Sequence, residues 1–79
     1  MKTMTCRQLG GACELEFRAD SFDEMAELSK RHGMEMFRAG DEAHLQAMEA
    51  MRSLMGDPKA MKRWFDERRE EFEALPEDG

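Results

Sequence analysis

The chain has 79 residues, 41% hydrophobic and 38% charged, with a formal net charge of -6. That length makes one domain with a thin core, the size class that often recruits a metal, a disulfide or a partner subunit. The acidic balance repels phosphates and argues against nucleic acid as a partner, and no stretch nears the ~20 apolar residues that span a bilayer.

Residues 2–7 alternate, with Met4 and Cys6 on one face and Thr3 and Thr5 on the other. Residues 13–19 repeat the pattern, with Cys13, Leu15, Phe17 and Ala19 set against Glu14, Glu16 and Arg18. Period two with polar residues opposite predicts half-buried strands. Between them Gly10-Gly11 supplies the φ freedom of a tight hairpin turn. Both thiols then face the core. Such a hairpin is marginal by itself and must pack on helices.

Ser21-Phe22-Asp23-Glu24 reads as a capping box opening a first helix from about Phe22 to Arg38, ended by Gly40. Its inward stripe is Phe22, Met25, Leu28, Ser29, His32 and Met36. Gly33 inside that helix costs propensity and admits close approach of another element. Asp41 caps a second helix running to about Met55, striped by His44, Leu45, Met48, Met51 and Met55. Asp57-Pro58 opens a third, whose apolar side is Met61, Trp64, Phe65, Arg68, Phe72 and Leu75. Pro76 and the acidic Glu77-Asp78-Gly79 stop it and fray. The sum is an α+β protein, ββααα. It is a single domain over 1–79, divided into a hairpin-plus-helix unit (1–38) and a two-helix extension (41–75).

The N-terminus has one positive charge and no apolar run, so no signal peptide is read there and a cytoplasmic location is expected. In that reducing setting two cysteines suggest metal or redox chemistry more than a structural bridge. A Cys6–Cys13 disulfide would form there only on oxidation, although opposed strand positions can meet its geometry.

The opening Lys2-Thr3-Met4-Thr5-Cys6-Arg7-Gln8-Leu9-Gly10-Gly11, then Cys13, the acidic helix start and His32, resemble a family of small bacterial proteins. That family is known as domain of unknown function 1059 and is also described as a predicted small metal-binding protein. The resemblance covers residues 1 to about 37. It implies two hairpin cysteines and two helix histidines, the second histidine five residues after the first. Cys6, Cys13 and His32 match three of these positions, and Phe37 stands at the fourth.

Zinc in a structural site asks for four ligands in a tetrahedron, commonly Cys and His. His44 is the available substitute. It points inward on the second helix, and a fold-back about Gly40 sets it and His32 at comparable distances from the turn. The metal set is therefore Cys6, Cys13, His32 and His44. Against it stands metal-free packing, with Phe17, Phe22, Met25, Met36 and Phe37 as fillers and His32 as a hydrogen-bonded core residue. Phe37 at the fourth position favours packing. Cu(I) on Cys6, Cys13 and Met36 is the softer alternative.

The chain is rich in methionine, with nine, and the stripe Met48, Met51, Met55 and the stripe Met61, Trp64, Phe65 face each other across Gly56-Asp57-Pro58. Mutual core packing is the expected use, and a homodimer or protein-partner surface anchored by Trp64 is the alternative. Lys59, Lys62, Arg63, Arg68 and Arg69 alternate with acidic residues and read as a mixed-charge face. No phosphate loop or nucleophile pair stands out, and Glu35 faces away as a base for a catalytic zinc. No enzyme is expected.

Overall fold

A computed structural model describes residues 1–77, so Asp78 and Gly79 of the acidic end lie outside the described residues. The elements are β1 (Lys2–Thr5), a 3-10 turn (Arg7–Leu9), β2 (Glu16–Ala19), α1 (Phe22–Ala39), α2 (Glu42–Met55) and α3 (Pro58–Ala74). This is the expected ββααα arrangement.

The hairpin is shorter than its alternation implied. β1 and β2 pair antiparallel from Lys2 opposite Ala19 to Thr5 opposite Glu16. Beyond Thr5 the chain leaves the ladder because Thr5 and Gln8 cap each other. The Thr5 N–H donates to Gln8 Oε1 at 2.8 Å, and the Gln8 N–H donates to Thr5 Oγ1 at 3.1 Å. The pair has the reciprocal form of a capping box, Thr-x-x-Gln, set one residue ahead of the turn's own N-cap, Cys6, which has no side-chain cap. Gly10 ends the turn at φ 92°, and of the glycine pair only Gly10 has a positive φ. Leu15, expected inward, is exposed because it lies in the loop before β2.

The helix ends follow their caps. Ser21 Oγ accepts from the Glu24 N–H at 3.2 Å, and Asp57 Oδ1 accepts from the N–H groups of Lys59 and Ala60. Gly40 closes α1 at φ 69°, a left-handed conformation that favours glycine. On α3, Lys62 pairs with Asp66 at 2.8 Å across the mixed-charge face, and Arg68 lies over the Trp64 ring.

The core is Met4, Cys6, Leu9, Phe17, Ala19, Phe22, Met25 and Phe72. It sits where α1 crosses the sheet and the last turns of α3 return beneath it, with Phe22 and Phe72 meeting edge to face. Lys2 fastens that return: its Nζ donates to the carbonyls of Phe72 and Glu73, both at 3.1 Å. Both lie at the C-terminal end of α3, where a cation meets the favourable end of the helix dipole, and the Phe72 carbonyl also accepts from the Leu75 N–H at 3.1 Å. The molecule is 15 Å deep in its thinnest direction, about one and a half helix diameters, so much helix surface stays outside. Phe37 is 63% exposed and cannot act as a core filler. Met55 and Phe65 are exposed as well, so of the residues expected to meet across Gly56-Asp57-Pro58 only Met48, Met51, Met61 and Trp64 are covered, and those partly, while Phe72 further along α3 is in the core.

Met25 is fully buried, so Met25→Ala should cost about 2–5 kcal/mol in urea unfolding, whereas Phe37→Ala should change it by under about 0.5. A Cβ built on Gly33 meets only the Met48 ε-methyl, at 3.8 Å, which is ordinary contact. The close approach expected at Gly33 therefore leaves room for a methyl group. Gly33→Ala should stabilise by roughly 0.5–1 kcal/mol, read as a rise in thermal midpoint.

Candidate metal centre

Each of the four residues is placed by a different local device. Cys6 stands at the junction of β1 and the 3-10 turn, where its carbonyl accepts from Leu9 at 3.1 Å and Gly11 at 2.8 Å. Gly11 is required there: a Cβ on it would lie 2.1 Å from Cys6 Sγ. Cys13 returns beside Cys6, held by Arg7 N–H to Cys13 carbonyl at 2.9 Å and Cys6 N–H to Leu15 carbonyl at 2.8 Å. His32 projects from α1 against Phe17, with ring centroids 5.6 Å apart. His44 is the third residue of α2, whose N-cap is Asp41.

These side chains converge. One ligand atom from each of Cys6, Cys13, His32 and His44 lies within 4.8 Å of all the others. Cys6 Sγ is 3.6 Å from His44 Nε2, and Cys13 Sγ is 3.3 Å from His32 Nε2. The two imidazoles meet edge to face at 5.2 Å. His32 precedes Gly40 by eight residues and His44 follows it by four, so they meet at unequal distances from the turn. Cys6 and His44 are buried, while Cys13 and His32 are half-buried.

Two edges of the donor set have the length a tetrahedral ion asks for. Bond lengths of about 2.3 Å to sulfur and 2.0–2.1 Å to nitrogen place S and N about 3.5 Å apart along a tetrahedron edge. The two S···N separations bracket that value. Thiolate and imidazole together suit zinc, and four protein ligands leave no open position.

Asp41 completes the arrangement from behind. One carboxylate oxygen, Oδ2, accepts from the His44 backbone N–H at 3.0 Å and from His44 Nδ1 at 2.6 Å. A carboxylate only accepts, so Nδ1 carries the proton and the Nε2 of the neutral ring turns its lone pair toward the sulfurs. Carboxylate–histidine pairs of this kind orient the ring and raise its basicity at metal sites. The same bond raises the His44 pKa and holds the Asp41 carboxyl below its ordinary value.

The thiols are tuned apart. Burial pushes Cys6 up, countered in part by N–H groups of Cys13 and Ala12. Cys13 is lowered to about 7, first by the Leu15 N–H and then by its side-chain neighbours, His32 among them. Hydrogen bonds to the anionic form favour thiolate, the form that ligates.

Sequence reasoning reached all four residues of this cluster. It missed Asp41 as more than a helix cap, and it missed the Thr5/Gln8 box. Both carry a readable signal, Asp-x-x-His at a helix start and Thr-x-x-Gln before a glycine. Beside the centre, an apolar groove of about 360 Å³ runs from Cys6 and His44 along Met48 and Met51.

No family model, no curated protein and no solved structure matches this chain.

In the metal-free protein, the His44 ring protons should titrate above the ordinary histidine value in an NMR pH series. Asp41→Asn should return that midpoint toward normal and weaken metal binding about 10–100-fold by competition with a chromophoric chelator. Alkylation at neutral pH should reach Cys13 before Cys6, as read by peptide mass mapping of the metal-free chain.

Proposed function

We propose that this protein binds one zinc ion through Cys6, Cys13, His32 and His44, and that the ion stabilises its fold. The observation that carries the reading is the closeness of four ligand atoms drawn from three separate elements, within 4.8 Å of one another. Random surface residues do not gather two thiols and two imidazoles with a carboxylate behind one ring. The resemblance of residues 1–37 to the domain of unknown function 1059 family agrees with it. His44 takes the place that the family gives to a second α1 histidine, where this chain has Phe37. An exposed Phe37 is consistent with that exchange, since its position needs no ligand when the fourth comes from α2.

A closed four-ligand sphere supports a structural role and not catalysis. Zinc would tie the hairpin to α1 and α2, supplying binding free energy that counts toward folding in a chain whose apolar core is eight residues. Cytoplasmic residence is part of this proposal, because free thiols persist in a reducing compartment. Among the described residues no helix is long and apolar enough to cross a membrane.

Native mass spectrometry with elemental analysis, on protein purified without chelator or affinity-tag metal, should find one zinc per chain. Zinc-free protein with an intact fold and free thiols that takes up no added zinc would sink the proposal. Cys6→Ser should lower stability by several kcal/mol in the presence of zinc and by much less after chelation. Acid should strip the ion, because thiolates and neutral imidazoles must be free of protons to ligate.

A second reading concerns self-association. An apolar groove of about 430 Å³ lies between α1 and α3, lined by Phe22, Met51, Met61 and Trp64, with exposed Met55 and Phe65 also lining it. A second copy presenting the same face is the proposed occupant. Sedimentation equilibrium should then show a concentration-dependent dimer that Trp64→Ala weakens; a monomer at every concentration removes this reading.

A further inference from the structure

We propose that the centre is a thiol-oxidation switch: a peroxide joins Cys6 to Cys13 as a disulfide, and α2 thereby loses its anchor to the hairpin. This rests on the metal-binding reading above.

Three observations carry it. First, the two cysteines are neighbours within one hairpin. Their Sγ atoms lie within 4.8 Å, and the backbone bonds Cys6 N–H to Leu15 carbonyl and Arg7 N–H to Cys13 carbonyl already hold the two arms of the connecting segment together around them. A bond of about 2.05 Å between the sulfurs needs local side-chain rotation and no opening of the sheet.

Second, the new bond would leave both histidines out. Metal ligation links three elements, whereas the disulfide links the hairpin only to itself. Among the described residues, the one buried side chain of α2 is His44, and no α2 residue belongs to the apolar core. α2 packs on α1 and α3 through half-buried side chains, and its one buried side chain is the link to Cys6 and to any ion they share. Its other inward residues, Met48 and Met51, are half-buried against Gly33 and Gly10.

Third, the thiols differ in access. Cys6 is 3% exposed and Cys13 is half-buried, so an oxidant meets Cys13 first. The Cys13 sulfur attacks one peroxide oxygen, the O–O bond breaks, and hydroxide leaves as water with a proton from solvent. The Cys6 thiolate then attacks Cys13 Sγ, the S–O bond of the sulfenic acid breaks, and a second hydroxide leaves as water. The thiolates lose two electrons and the peroxide gains them. Two protons are consumed, and the divalent ion passes to solvent.

The test uses the full zinc-loaded chain with hydrogen peroxide and three readouts. Zinc release is followed with a chromophoric indicator, the disulfide by intact mass and peptide mapping, and α2 by amide hydrogen exchange. Expected are zinc release together with the intramolecular disulfide, and exchange over Glu42–Met55 faster by roughly tenfold, with β1 and β2 changed less than about twofold. Dithiothreitol plus zinc should reverse all three, which separates thiol chemistry from methionine oxidation. Zinc retained, zinc lost without a Cys6–Cys13 bond, or a disulfide with unchanged α2 exchange would each overturn the switch while leaving the metal reading intact. A chain that takes up no zinc at the outset overturns both.

Discussion

Among the described residues, α2 is tied to the hairpin through its one buried side chain, the His44 ring, pinned through Nδ1 by Asp41 and presented through Nε2 to Cys6. Everything around it is arranged so that the ring has no freedom. Asp41 is fixed by capping α2, and its amide donates to the Met36 carbonyl at the end of α1. The turn about Gly40 therefore delivers the histidine and its orienting carboxylate as one unit. A buried imidazole facing a buried thiol has few ways to be satisfied, and a shared metal ion is one that would serve all four groups at once.

The fold was legible in the sequence to the extent that local chemistry decided it. Ser21, Asp41 and Asp57 are strong N-caps, Gly40 is a strong stop, and the three helices begin and end within a residue or so of those signals. The strands were overread. Alternation over Cys13-Glu14-Leu15-Glu16 has the period of a strand, yet the Thr5 and Gln8 N–H groups go to each other's side chains, a 3-10 turn follows, and Leu15 lies in the loop before β2. Pattern reports which residues are apolar, and capping decides where the ladder stops.

The candidate site shows the same division. That Cys6, Cys13 and His32 belong together could be read from spacing on the hairpin and α1. His44 could be nominated only on the assumption that α2 folds back, since helix direction depends on packing that no single helix encodes. The stripes show why such nominations need testing against structure. Phe37, Met55 and Phe65 all had helical positions suited to burial. In a molecule this thin there is not enough interior to take them.

The bond from Lys2 to the carbonyls of Phe72 and Glu73 gives this molecule an order in time. During synthesis the hairpin emerges first, then α1 and the start of α2, and the last core residue, Phe72, emerges far later. All four ligand residues thus leave the ribosome before the apolar core can close. Under the proposed zinc binding, an ion could join residues 6–44 before Phe72 closes the core, and metal supply during folding would then bear on how much of this protein reaches its folded state.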